Sequence, residues 1–343
     1  MVKQRVLVLG GGVAGLAAAL YLDRRSHDVT LLEATSQVGG RAARYACKAT
    51  DRCLGCGVCL VSDLVEEIRT SGVTIQLEAR LERLDESPEG LSAWVRHGDS
   101  SLTLLKCSAV LVATGMQPFE PARLPDLGYG RVPGVVGASE LEEQLRSGGG
   151  FSRNGRPVRR VAFLQCAGSR NLQLGANYCS EVCCKYALRL ALWLLEENPG
   201  TEITMFYMDL QTHGRGFDEV YRQAAARVRL VQGVPTEVKA LDGDGLLVKY
   251  EDVWNSRVAY GEFDALVLSQ GIRPGRDTAG LCRILQVNGD AHGFFAAGSS
   301  GRTNRPGIYV AGSARGPASI AQCVAQARAA AAEVATALEV EGA

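Results

Sequence analysis

Residues 5–33, "RVLVLGGGVAGLAAALYLDRRSHDVTLLE", decide the fold. An apolar run at 5–9 breaks on three glycines, an alanine-rich helical pattern follows, and a second apolar run starts at Asp28. Short continuous apolar runs read as strands buried on both faces, and strand–helix–strand order predicts a doubly wound parallel α/β sheet. Gly10, Gly12 and Gly15 form G-x-G-x-x-G at the turn. The first glycine tightens the turn, the second admits a pyrophosphate to the backbone, and the third packs helix on strand. Val13 and Ala14 open the helix, whose free N–H groups and positive dipole end suit phosphates. Glu33 ends the second strand about 20 residues on, where a carboxylate accepts ribose hydroxyls. The competing reading is a glycine turn with an incidental surface carboxylate.

The chain has 343 residues, enough for two domains with their own cores. Lys plus Arg equal Asp plus Glu at 37 each, so no electrostatic pull toward nucleic acid or an anionic membrane is expected. The longest helical apolar pattern, "YALRLALWLL" (186–195), is broken by Arg189, and nothing reads as a membrane span. The N-terminus superficially resembles a signal peptide, but its glycines fall inside the apolar region, so it reads as folded. The 11 cysteines are odd in number and clustered. That pattern is unlike a secreted disulfide framework and points to metal or redox work in a reducing, cytoplasmic compartment.

"QPFEPARLPDLGYGRVPG" (117–134) is a Pro/Gly-rich link. It suggests a discontinuous dinucleotide domain, 1–125 with 276–343, and an inserted NAD(P)-like domain over 126–275. In the inserted domain a strand is expected at 159–165 and a helix at about 180–196; another helix is expected at 62–71. The first of these strands runs into "LQCAGSRNLQLG" (164–175), where only Gly168 and Gly175 are present. No second G-x-G-x-x-G stands there, so NAD(P)H is not an obvious hydride source at that turn.

Thiols stand there instead. Cys166, Cys179, Cys183 and Cys184 have the spacing C-x12-C-x3-C-C. Cys179 and Cys183 are expected one turn apart on a helical face, with Cys166 at the strand end. Thiolates converging at such a crevice suit a [4Fe–4S] cluster; tetrahedral zinc and plain buried thiols are the alternatives. A second set, Cys47, Cys53, Cys56 and Cys59, lies in "CKATDRCLGCGVC". It reads as another cluster, as a redox-active thiol group, or as surplus thiols. Cys107, Cys282 and Cys323 stand singly and read as core fillers. His213 reads as a polar loop residue.

Three further stretches resemble glutathione-reductase-type flavoproteins. "EATSQVGGR" places Gly39, Gly40 and Arg41 like a second phosphate contact, and "AVLVATG" brings Ala113, Thr114 and Gly115 to the flavin. "GIYVAGSARGPASI" carries Gly312 and Ser313 where such proteins have Gly-Asp, followed by a helix starting near Ser319 and Ile320. The resemblance implies a thioredoxin-reductase-like, two-domain flavoprotein with doubly wound parallel sheets that binds FAD.

"QCAGSR", "YCSEVCC", "FYMDLQTHGRGFDEVY" and "LSQGIRP" make the chain similar to the flavin-bearing A subunit of heterodisulfide reductases. That resemblance implies that Cys166, Cys179, Cys183 and Cys184 hold a [4Fe–4S] cluster, and it matches family paired cysteines best to Cys53 and Cys56. The ferredoxin-type modules of the methanogen form are not found in this sequence, so flavin-based bifurcation is not expected. The compact form resembles that of heterodisulfide-reductase-like complexes of sulfur-oxidising prokaryotes. It implies partner subunits, a lipoate-bearing carrier protein as sulfur donor, and a homodimer. An NAD(P)H-dependent disulfide reductase using a Cys53/Cys56 dithiol is the second reading, and a non-catalytic assembly component the third.

Overall fold

The structure, a computed structural model, describes residues 4–341 apart from Pro88, Glu89, Gly149, His213 and Arg215. The expectation for His213 therefore lies outside the described residues. Seven helices recur below: α1 (Val13–Asp23), α2 (Val58–Arg69), α3 (Ala138–Arg146), α4 (Cys183–Glu197), α5 (Phe217–Arg227), α6 (Thr278–Leu285) and α7 (Ile320–Glu341). The chain folds as two units. One comprises the chain up to Tyr45, Gly57–Gln117, and everything from Arg273; the other comprises Ala46–Cys56 and Pro118–Ile272.

The first unit is built on a five-stranded parallel sheet, ordered Ile308–Val310, Ala109–Val112, Arg5–Leu9, Asp28–Leu32, Thr74–Gln76. Alternation in the opening strand explains its layers. Val6 and Val8 join α1, α2 and α7 in one core, whereas Leu7 and Leu9 face a second core with the antiparallel meander Ala79–Ser87, Gly90–His97, Leu102–Cys107. A strand covered on both faces has no place for polar side chains, which is why 5–9 is apolar throughout.

The second unit holds a seven-stranded mixed sheet. Its parallel strands run in the order Val228–Ala240, Glu202–Tyr207, Arg160–Ala167, Ala265–Gln270, Val135–Gly137. Leu246–Asp252 and Arg257–Phe263 extend it as an antiparallel edge. Helices α3, α4 and α5 cover one face. Two expected boundaries move. Helix α2 starts at Val58 rather than near 62, because Gly57, left-handed at φ 80°, ends the loop there. Helix α4 starts at Cys183, so Cys179 does not share a helical face with it. Glu181 adopts φ 59°, and the buried Ser180 hydroxyl accepts the Ile272 N–H at 2.8 Å, so the chain before the helix runs irregularly. Among the described residues no helix is long and apolar enough to cross a membrane.

Candidate redox site: a nucleotide cradle and a four-thiol turn

The glycines of the opening motif are enforced by close approach. Gly10 has φ 101°, and a Cβ there would lie 2.6 Å from the Ala113 carbonyl oxygen. A Cβ on Gly15 would lie 1.8 Å from the Gly10 oxygen, so any side chain would prise α1 off its strand. Gly12 caps α1 in an extended conformation and bridges to Gly39, whose N–H donates to the Gly11 carbonyl at 2.7 Å. Gly40 packs on it so closely that its Cβ would reach the Gly12 Cα at 2.8 Å. Two glycine turns thus meet backbone to backbone, leaving N–H groups rather than side chains at the α1 N-terminus.

Glu33 is pinned beside them. Its Oε2 accepts the Gly11 N–H, and its Oε1 accepts the Thr35 N–H and hydroxyl, each at 2.8 Å. Val13 and Ala14 begin α1 as buried residues, and the Gly312 turn comes within 2.6 Å of the Ala14 Cβ from an ideal Cβ. Ala113 packs on the same turn, whereas Thr114, Arg41 and Arg44 are exposed. Gly115 faces open space. Ser313 directs its hydroxyl to the Cys323 sulfur at 3.3 Å. Ser319 and Gln322 cap α7 reciprocally, with the Ser319 N–H on Gln322 Oε1 at 2.7 Å and the Gln322 N–H on Ser319 Oγ at 3.3 Å. Ile320 begins α7 next to Gly57, whose ideal Cβ would lie 3.5 Å away.

In the inserted unit the strand Arg160–Ala167 slips register between Leu164 and Ala167, and Cys166 sits in that irregularity with φ 61°. A non-glycine residue in the left-handed region at a bulge costs energy and marks a re-aimed side chain. Gly168 follows for a packing reason: its ideal Cβ would lie 1.9 Å from the Phe119 ring. The glycine of the supposed second nucleotide turn thus makes room for an aromatic ring.

Three thiols meet there. Cys183 lies between Cys166 and Cys184 and shares its proton with both sulfurs. Those contacts, with burial, push Cys183 well up. The same Cys183 contact draws Cys166 down and Cys184 down to about 7, against burial in both cases. Cys179, half-buried, accepts the Glu181 N–H at 3.3 Å and is raised chiefly by desolvation. Its neighbours in charge are Cys166, Cys184 and Arg170. Among the described residues no three His, Cys, Asp or Glu side chains are drawn up as a ready metal-binding group. The donor set nonetheless fits an anionic iron–sulfur group. Four thiols converge, Arg170 supplies a cation, α4 begins at Cys183, and the buried Gln165 amide and Ser169 hydroxyl flanking Cys166 lack partners.

The loop 46–56 belongs to this unit, so Cys47, Cys53 and Cys56 lie in it while Cys59 sits in the first turn of α2. Two devices hold the loop. Lys48, 2 % exposed, pairs with Glu142, which also accepts the Ala46 N–H at 2.8 Å and the Tyr186 hydroxyl. Arg189 of α4 donates to the carbonyls of Leu54 and Gly55 at 2.7 and 2.9 Å, the two residues between Cys53 and Cys56. The Gly55 N–H turns back to the Cys53 sulfur at 3.4 Å. Cys53 is exposed and Cys56 half-buried.

Residues 4–329 match the family described as pyridine nucleotide-disulphide oxidoreductase. The chain belongs to this family. It is an oxidoreductase. Among curated proteins it is similar to the A subunit of the H(2):CoB-CoM heterodisulfide,ferredoxin reductase of Methanothermobacter thermautotrophicus, at 32% identity over 67% of this chain and 37% of that one. The A subunit of the Ferredoxin:CoB-CoM heterodisulfide reductase of Methanosarcina mazei is 32% identical over 83% of this chain and 34% of that one. The chain thus spans a little over a third of these relatives, and the resemblance carried by the cysteine motifs holds at the level of the heterodisulfide reductase flavoprotein component. In fold it matches the thioredoxin reductase of Lactococcus lactis with a TM-score of 0.66, at 20% identity, over 97% of this chain and 98% of that one. Family and cradle together support a flavin electron-transfer role with FAD as cofactor.

Several functional side chains escaped the sequence reading. Arg170, Asp209, Lys48, Glu142 and Arg189 are charges of ordinary kinds in polar or mixed surroundings. The one available signal was Lys48 between Ala46 and a cysteine-rich loop, and it does not point to a partner 94 residues away.

Proposed function

We propose that this chain is the FAD- and [4Fe–4S]-bearing electron-transfer subunit of a heterodisulfide-reductase-like complex working in cytoplasmic sulfur oxidation. The observation that carries the reading is the meeting of Cys166, Cys183 and Cys184, with Cys179 and Arg170 beside them, at the strand end where a second nucleotide turn would stand. Bound FAD would supply two-electron chemistry, and a cluster on the four cysteines one-electron chemistry, which together fit a subunit that splits electron pairs. Gly10, Gly12, Val13, Ala14, Gly15, Gly39 and Gly40 would give the pyrophosphate a backbone bed, with Glu33 on the ribose and Arg41 reaching a phosphate. Ala113, Thr114, Gly115, Gly312 and Ser313 would line the flavin, and the helix end at Ser319 and Ile320 would face its pyrimidine edge. Cys53 and Cys56 would act as a redox dithiol, with Arg189 fixing the backbone between them. A homodimer, further subunits and a lipoate-bearing carrier are the partners this reading brings.

Anaerobic purification with iron, sulfide and flavin analysis tests it. About four iron per flavin, lost in Cys183→Ser, is the expected result; zinc or no metal overturns it. Eight iron would assign Cys53 and Cys56 to a second cluster instead of a dithiol. Rapid flavin bleaching by NADPH would support the disulfide-reductase reading.

A further inference from the structure

One cation serves three of the four thiols. Arg170 stands four residues beyond Cys166, held at φ 53° with its N–H on the Tyr178 carbonyl at 2.9 Å. Its guanidinium reaches the Cys166 sulfur as a hydrogen-bond donor and faces the charges of Cys179 and Cys184. On its other side it pairs with Asp209 Oδ1 at 2.8 Å. Asp209 is itself tied to the site, because its backbone oxygen receives the Cys184 thiol at 3.9 Å and its carboxylate takes Gln211 Nε2 at 3.1 Å. Lys185 contributes a more distant positive charge near Cys184, with Glu181 beside it. Arg170 therefore divides its donors between a sulfur and a carboxylate, and the balance between them sets how much positive charge the sulfurs feel.

We propose that Arg170 sets the reduction potential of the iron–sulfur group at Cys166, Cys179, Cys183 and Cys184, with the Asp209 carboxylate as its counterweight. The inference rests on the reading that these cysteines hold such a group. Reduction brings one electron from a dissolved mediator and adds one negative charge to the site, without a proton. N–H donors to ligand sulfur and nearby positive charge favour the more negative state and raise the potential. Arg170 is a positioning and tuning residue in this role. Its side chain is 30% exposed, so solvent screens part of its field. Loss of its charge shifts the one-electron equilibrium about tenfold toward the oxidised form, or 59 mV.

The test is a mediator titration followed by electron paramagnetic resonance on anaerobically purified protein, with iron and flavin measured on each sample. Arg170→Met is expected to keep its iron and to titrate about tenfold lower than the parent protein. Arg170→Lys should fall between them, since it keeps the charge and loses the planar fork. Asp209→Asn should move the potential upward, because Arg170 loses its competing anion. Should Arg170→Met take up no iron, the upward shift in Asp209→Asn carries the decision alone. Equal potentials in the parent, Arg170→Met and Asp209→Asn proteins, with iron retained, would overturn the tuning role and leave the cluster reading standing. A parent protein without iron overturns both.

Discussion

Replacing Lys48 with Met removes the cation from a carboxylate that has almost no water to fall back on. Glu142 is 3% exposed and Lys48 2%, and they form an ion pair that also gathers the Ala46 N–H and the Tyr186 hydroxyl. Breaking one partner of a buried pair costs about 3–5 kcal/mol. In Lys48→Met two donors remain on the carboxylate, so the cost should fall near the low end, about 3 kcal/mol. For a unit of this size each kcal/mol moves the melting temperature by about 2–4 °C, so a drop of roughly 6–12 °C is expected. The penalty has a second outlet, because release of 46–56 would let water reach Glu142. Urea unfolding followed by circular dichroism reads the first outlet, and alkylation of Cys47, Cys53 and Cys56 under native conditions reads the second. The double variant Lys48→Met/Glu142→Leu should recover most of the loss, since an apolar pair carries no buried charge. A Lys48→Met protein that melts and alkylates like its parent would refute the idea that this pair holds the loop.

Gly15→Ala should abolish flavin binding and lower stability, because its Cβ would sit 1.8 Å from the Gly10 oxygen; the visible flavin spectrum and a thermal melt check it. Arg189→Met should speed alkylation of Cys53 and Cys56, as it frees the Leu54 and Gly55 carbonyls, while Arg189→Lys should do so less; mass-spectrometric labelling rates decide, and equal rates in Arg189→Met defeat the anchor. Burial pushes Cys107 up to about 12 from 9.0, so the folded state keeps a proton that the unfolded chain loses. Its contribution to stability is full below pH 9 and falls by up to about 1.4 kcal/mol per pH unit above it, a slope that Cys107→Ala should remove in denaturation curves measured between pH 8 and 10.

The first strand, the glycine turn and α1 were legible because their constraints are local. Alternation and glycine spacing act within a few residues, and Gly10, Gly15 and Glu33 stand where that reasoning places them. The start of α4 was not legible. The turn at Glu181 depends on Ser180 being buried against Ile272, a contact across 92 residues. The cysteine spacing C-x12-C-x3-C-C identified which thiols meet, but the bulge at Cys166 comes from a register slip between neighbouring strands, which no single segment encodes. The cysteine loop behaved likewise. Its sequence position suggested one set of four thiols, whereas the buried pair at Lys48 and the Arg189 anchor draw 46–56 to the inserted unit and leave Cys59 with α2.

The path of that loop has a consequence for how the protein can be taken apart. The chain passes between units after Tyr45, Cys56, Gln117 and Ile272, so the inserted unit is assembled from two separate lengths of polypeptide. A graft of 118–272 alone onto another flavoprotein would leave behind Lys48, Leu54 and Gly55. Glu142 would then lie buried without its cation and Arg189 without its carbonyls. The thiol-bearing unit is therefore not a portable cassette, and a transplant that preserves it must carry 46–56 as a second graft.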